Sequence, residues 1–365
     1  MVKLLYSKPM YFILLTLISL ILFQITLLLH SAIKGIHKYF FTKELDLLER
    51  YGKNSWVVIT GASSGQGYEM ALAFAERGFN LLLIGSPRTD KTRDYIQEHF
   101  PLIKTKVVYK DFRQAYMDDF FGEIEAAFNE IGEDHLAVLI NNVGHRVGWN
   151  PYHEMDPAYI RDVIATGTIV QSRLTHLAIP GFLRRKALFN KPSALINITA
   201  QCMHPNFLFG ITMSNEISVP YLSIYEAANA FGFYQGNSIY KEYQGIFDIL
   251  NITPGAVVTE NTDCLKNTLF NITGKDFVAQ LMKLIGNVQG NTCAYWGHAL
   301  SNYLINLAPN MKEGVLKKVG ATIAADFMQK TKKDYATVST VAEATAAPAP
   351  APVETAPTTG KCKCD

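Results

Sequence analysis

The stretch "SWVVITGASSGQGYEMALAFAERGFNLLLIG", Ser55 to Gly85, constrains the fold of this chain more than any other. "SWVVIT" is a β-rich apolar run that stops at Gly61 and reads as a buried strand. "GYEMALAFAERG" spaces Met70, Leu72, Phe74 and Ala75 as a helix does and ends at Gly78, and "FNLLLIG" is a second buried strand. Strand, glycine turn, helix and strand in this order form a βαβ unit. In the turn, Gly61 permits a tight bend, while Gly65 and Gly67 let a pyrophosphate approach the helix N-terminus, whose amides and dipole favour negative charge. A tight strand-to-helix turn with nothing bound is the competing reading.

The alternation continues along the chain. "TKVVYKDF", "LAVLINNVG", "SALINITA" and "FDILNITPG" read as strands, separated by helical stretches in "MDDFFGEIEAAFNEIG", "AYIRDVIATGTIVQSRLTHLAIPGFLRR" and "SIYEAANAFGFYQGNSIYKEYQ". Continuous apolar strands between amphipathic helices predict a parallel sheet covered on both faces, a doubly wound α/β domain of Rossmann type. Its ligand crevice lies at the carboxyl ends of the strands.

Ahead of this domain, Pro9 to Ile33 contains no Lys, Arg, Asp or Glu, which exceeds the roughly 20 apolar residues that cross a bilayer as a helix. A cleaved signal peptide has a shorter apolar region and a small-residue cleavage site; here bulky residues follow, so an uncleaved single-pass anchor is expected. Lys3 and Lys8 flank one side and Lys34, Lys38 and Lys43 the other, which leans toward a domain facing the cytosol or matrix. The chain thus divides into an anchor and amphipathic connector (1–50), the Rossmann domain (51–310), a C-terminal helical extension (311–336) and a tail (337–365). The tail is rich in Ala, Pro and Thr and reads as disordered. A net charge of +2 with interspersed signs gives no case for a nucleic-acid partner. Cys202, Cys264, Cys293, Cys362 and Cys364 include no C-x-x-C pair, so no metal site is expected, and "KCKCD" is not a prenylation box.

The glycine turn "TGASSGQG", Asp111 after the third strand, "NNVG" after the fourth and Pro254-Gly255 after the sixth together resemble the short-chain dehydrogenase/reductase family. With the N-terminal anchor, the chain resembles its membrane-anchored 17β-hydroxysteroid dehydrogenase and very-long-chain 3-oxoacyl-CoA reductase branch, over roughly Tyr51 to Pro309. The resemblance implies that Gly61, Ser63, Ser64, Gly65 and Gly67 line a dinucleotide pyrophosphate, that Asp111 reaches the adenine, that Asn141 supports the adenosine side, and that Gly144, Pro254 and Gly255 belong to the cofactor site. After the second strand, "IGSPR" offers no acid for a ribose 2′-hydroxyl; Ser86 and Arg88 suit a 2′-phosphate, which favours NADP(H) over NAD(H).

In that family a Tyr protonates the developing alkoxide, a Lys one helical turn later lowers its pKa, a Ser holds the carbonyl oxygen and an Asn completes a proton relay. Tyr225 matches the Tyr, but Asn229 stands at the Lys position, Ala200 at the Ser position and Gly167 at the Asn position. Thr199, or Thr212 with Ser214 behind it, could substitute for the Ser. Tyr39 and Lys43 have the Tyr-x-x-x-Lys spacing but lie in the connector. Two functions follow as expectations. One is a catalytically impaired pseudoenzyme that retains NADP(H) and serves as an accessory or scaffold subunit of a membrane assembly. The other is an active NADPH-dependent reductase of 3-oxoacyl-CoA or steroid ketones, its apolar substrate handled near His298 to Pro309. The membrane is expected to be the endoplasmic reticulum or the mitochondrial inner membrane. Sequons at Asn197 and Asn251 fall on buried strands, where glycosylation is implausible.

Overall fold

The computed structural model describes residues 8–132, 135–200, 206–208, 211–213, 219–259 and 267–307. The expected extension and tail, like Ser214 and every cysteine except Cys293, lie outside the described residues.

The first helix, α1 (Lys8–Ile36), is 29 residues long. At about 1.5 Å per residue it exceeds the roughly 30 Å hydrocarbon thickness of a bilayer. The 18-residue apolar window within this stretch has none of its residues buried against the rest of the molecule. A short π-turn (His37–Phe41) and α2 (Leu47–Tyr51) lead into the domain. Asp46 caps α2 through Glu49 N, and Leu47 and Tyr51 are fully within the core. Arg50 grips Asp248 with two hydrogen bonds of 2.8 and 2.9 Å, and the Tyr51 hydroxyl donates to the same carboxylate at 2.7 Å. The connector is therefore bonded to the sheet, and burial beside this carboxylate pushes the Tyr51 phenol well above its ordinary range.

The sheet has seven parallel strands. They are β1 (Trp56–Thr60), β2 (Asn80–Gly85), β3 (Thr105–Tyr109), β4 (Leu136–Asn141), β5 (Ala194–Ile198), β8 (Asp248–Ile252) and β11 (Gly290–Thr292), in the order β11-β8-β5-β4-β1-β2-β3. Two small pairs lie apart from it, β6 (Asn206–Leu208) with β7 (Ile211–Met213), and β9 (Val257–Val258) with β10 (Ile272–Thr273). The helices α3 (Gly65–Glu76), α4 (Asp90–His99), α5 (Gly122–Ile131), α6 (Pro157–Ile164), α7 (Val170–Phe189), α8 (Ser223–Tyr243), α9 (Gly274–Leu284) and α10 (Trp296–Leu307) complete the domain.

Alternate residues of each strand enter separate cores. Val57 and Ile59 join Met70, Phe74 and Phe277 on one face; Val58 joins Leu82, Leu139, Leu174 and Phe182 on the other. Both faces being apolar is what made the strands read as unbroken hydrophobic runs. The doubly wound architecture is as expected, with an edge strand, β11, too short to signal itself in the sequence. The long helix expected between β4 and β5 runs on through a π-turn at Ala165–Ile169.

Strand order reverses between β4 and β1, so their carboxyl ends open the crevice where such sheets bind ligands.

Candidate functional site

β1 delivers Thr60 to the crevice, and the turn that follows is stitched to the end of β4. Thr60 Oγ1 donates to Ile140 O at 3.3 Å and accepts the amides of Asn142 and Val143, each at 3.0 Å. The Asn142 side chain donates to Thr60 O at 2.9 Å and to Gly61 O at 3.4 Å. Asn142 is a residue that sequence reading missed; it is the second Asn of "NNVG", a signal present but assigned to its neighbour.

Gly61 and Gly65 take positive φ angles of 70° and 58°, which favour glycine. At Gly67 a Cβ would overlap Gly61 O and lie 2.7 Å from Asn142 Nδ2. The glycines therefore hold the turn close against β4 and leave backbone facing the crevice. Ser64, the residue before α3, makes no side-chain capping bond, so the first-turn amides of a 12-residue helix have no side-chain cap from it. Ser63 and Ser64 are both half-buried beside it. Thr259, in the segment after β8, packs on the turn, its Cβ and Cγ2 3.3 Å from where a Gly65 Cβ would stand. Upstream in that segment, Pro254 is buried and Gly255 half-buried.

At the end of β2, Ser86 Oγ is buried with no hydrogen-bond partner, and exposed Arg88 lies two residues on, in the 3₁₀ turn Pro87–Thr89. A glycine cradle, an uncapped helix N-terminus and an orphaned hydroxyl fit the diphosphate and ribose of a nicotinamide dinucleotide. Gly144 is exposed, with open space where a Cβ would project.

Two residues assigned to the adenosine side are engaged elsewhere. Asn141 is buried, its amide donating to Thr175 Oγ1 and Asn197 Oδ1, both at 2.9 Å, and Asn197 donates to Asn251 Oδ1 at 2.9 Å. These three asparagines are paired in register across β4, β5 and β8, forming a polar ladder through the sheet. Asn141 therefore supports the sheet through its amide group, while its Oδ1 is buried without a hydrogen-bond partner. Asp111 is held by Arg113, Nε to Oδ1 at 2.9 Å and Nη2 to Oδ2 at 2.6 Å. Those bonds hold its carboxyl below the usual range. An adenine would share this carboxylate with Arg113.

The ketone side is assembled by α8, the π-turn and the end of β5. Tyr225 lies in the first turn of α8 and is half-buried. One turn later, Asn229 donates its side-chain amide to the Tyr225 backbone carbonyl at 2.9 Å. The neutral group is folded back onto its own helix, where a Lys ammonium would place positive charge toward a phenol. Gly167 sits in the π-turn, where a Cβ would stand 3.0 Å from Ala228 Cβ on α8. A side chain at 167 would need Ala228 to yield by a few tenths of an ångström.

Thr199 does not supply the missing hydroxyl. It is buried, and its Oγ1 donates to Ile252 O at 3.1 Å. Ala200 follows, half-buried and without a polar group. Thr212 belongs to β7, and its side chain lies outside the described residues. The structure brings Tyr225, Asn229, Gly167, Thr199 and Ala200 onto converging elements, and among them the phenol is the side chain of an acid–base type suited to a ketone.

His298, singled out on the apolar C-terminal stretch, is fully buried on α10 with Nε2 3.2 Å from Ala256 O. Burial holds its pKa below the ordinary value. It packs against Phe277 and Tyr295, a core residue of the helix that backs the segment after β8.

The parallel sheet and the glycine turn give a doubly wound α/β fold like that of short-chain dehydrogenases. Residues 55–201 match the family described as short chain dehydrogenase. Among curated relatives, the human very-long-chain 3-oxoacyl-CoA reductase is 25% identical over 78% of this chain and 85% of its own length. The Caenorhabditis elegans reductase of that description is 25% identical over 81% and 89%. A hydroxysteroid dehydrogenase-like protein 1 from Gallus gallus is 24% identical over 70% and 72%. Among solved structures, a short-chain dehydrogenase from Sphingobium yanoikuyae in complex with NADPH aligns with a TM-score of 0.54 at 21% identity, covering 65% of this chain and 87% of that one. The chain resembles the short-chain dehydrogenase/reductase family in sequence and in fold.

Proposed function

We propose that this chain is a membrane-anchored short-chain dehydrogenase-like protein that binds NADP(H) and is catalytically impaired, acting as an accessory or scaffold subunit of a membrane protein assembly. The observation that carries the impairment is the Asn229 amide bonded to the Tyr225 carbonyl, with no hydroxyl at Ala200 and no side chain at Gly167. Removing one donor from an oxyanion site costs about two to three orders of magnitude in rate, and members of a catalytic set act as a unit. Bound, the nicotinamide would supply a hydride; among the described residues, Asn229, Ala200 and Gly167 offer neither a cation nor a hydroxyl beside Tyr225 for the ketone oxygen.

Retention of the cofactor is supported by Gly61, Gly65, Gly67 and the uncapped start of α3. Preference for the 2′-phosphate is supported by Ser86 and Arg88 and by the lack of an acid among Ser86, Pro87 and Arg88 directly after β2. Titration of purified protein with NADPH and NADH, read by nucleotide fluorescence, tests both: the account expects saturable binding with NADPH tighter, and equal affinities would remove the preference.

A second reading is favoured by Tyr225 itself and by the relatives' description as reductases: an active NADPH-dependent reductase of 3-oxoacyl-CoA or steroid ketones. The two readings part on whether NADPH consumption depends on Tyr225. The membrane is proposed to be the endoplasmic reticulum or the mitochondrial inner membrane, with α1 crossing once. Fractionation against markers of both distinguishes them.

A further inference from the structure

The apolar character of α1 does not end where the helix does. In the π-turn that follows, Lys38 Nζ donates to Thr292 Oγ1 at 3.2 Å and the Tyr39 hydroxyl lies 3.3 Å from the same atom, pinning the end of the anchor to β11. Next in sequence, Phe40 stacks obliquely on Trp296 with ring centroids 5.8 Å apart. Trp296 opens α10, and Leu300 follows it by one helical turn on the same face. The neighbouring Tyr295 donates its hydroxyl to Leu269 O at 3.0 Å, which brings the loop before β10 against the same surface.

These contacts bring Phe40, Trp296 and the Leu269 backbone together from distant parts of the sequence. Phe40 is 59% exposed, Phe41 67% and Leu269 52%, with Phe270 and Leu300 also exposed and Trp296 half-buried. Single exposed apolar side chains need no explanation, but a contiguous group marks an interaction surface. This one is continuous with the segment that is long and apolar enough to cross a bilayer. Its aromatic content suits the headgroup level, where Trp and other aromatic rings collect.

We propose that Phe40, Phe41, Leu269, Phe270, Trp296 and Leu300 lie in the interfacial layer of the same membrane that α1 spans. The domain is then held to the bilayer at two places, the anchor and this face, and does not swing on a tether. The face is joined to the nucleotide crevice: His298 on α10 bonds to Ala256 O, and Thr259 of the same segment covers Gly65. The proposal rests on α1 being a membrane anchor.

The test uses the full chain in phosphatidylcholine vesicles with brominated or unmodified acyl chains. The three tryptophans are Trp56, Trp149 and Trp296. Brominated lipid is expected to quench part of the emission, with that quenching lost in Trp296→Phe and kept in Trp149→Phe. Leu300→Trp, at an exposed position, is expected to add lipid-quenched emission, which guards against a folding defect at 296. Equal quenching in the wild type and Trp296→Phe, with no quenching of the Leu300→Trp signal, overturns the proposal, as it would if a protein or second copy covered this face. Alkaline carbonate extraction of the same vesicles separates the two claims. Extraction of the protein would overturn the anchor and the proposal together, whereas retention without Trp296 quenching would overturn the interfacial face alone.

Discussion

Asn229 and Gly67 illustrate opposite consequences of a single side chain. At Asn229 the side chain is present but is neutral and donates its amide to a backbone carbonyl. Because Ala200 also lacks a hydroxyl, Asn229→Lys alone is expected to restore little. The Asn229→Lys/Ala200→Ser pair is expected to give more NADPH consumption with a ketone substrate than the sum of the single variants, since such groups act together. Additive or absent gains would place the deficit elsewhere. At Gly67 the lack of a side chain is required. Gly67→Ala drives a methyl into Gly61 O, so thermal unfolding should show a loss of about 1–3 kcal/mol and NADPH titration a weakened complex. Unchanged stability would mean that the turn can move aside.

Between β4, β5 and β8, stability depends on polar groups inside an apolar sheet. Asn197 and Asn251 are wholly buried, and burial of an amide is costly unless it is bonded. Gly236 on α8 makes room for the ladder, since a Cβ there would overlap Asn251 Oδ1 and lie 2.6 Å from its Cγ. Gly236→Ala is therefore expected to lower the unfolding temperature more than Gly245→Ala at the end of that helix, where nothing lies within 4 Å. Gly245 has a positive φ of its own, so its variant is not silent, only milder.

This ladder also marks the limit of what could be read from the sequence. Strand identity was legible because both faces of the sheet are apolar. Asn141 was read as a nucleotide contact because its register with Asn197 and Asn251 depends on how the crossovers align three strands. The recurring Asn in "LIN", "LIN" and "ILN" was the available signal. The π-turn at Gly167 was similarly hidden inside a continuous helical pattern. Asn229, Ala200 and Gly167 are legible from the motifs, and the structure sets them with Tyr225 on converging elements, with the Thr199 hydroxyl bonded to Ile252 O. Burial of His298 adds a pH dependence at this scale. Its lowered folded pKa means the unfolded chain binds the proton first, so stability should fall as pH drops below about 6.5. His298→Gln should flatten that part of the urea-stability profile, and an unchanged slope would assign the acid loss to other groups.

The whole molecule combines a helix long and apolar enough to cross a bilayer, a connector bonded to the sheet through Arg50 and Asp248, and a crevice whose glycine cradle fits a nucleotide. Its central claim is that dinucleotide binding survives without the proton chemistry of a ketone reductase. The most direct measurement follows NADPH oxidation by the purified full-length protein with a 3-oxoacyl-CoA and with a steroid ketone, beside Tyr225→Phe. The account predicts NADPH binding to both proteins and no consumption above background that differs between them. Robust turnover by the wild type that disappears in Tyr225→Phe would contradict it and establish the reductase reading.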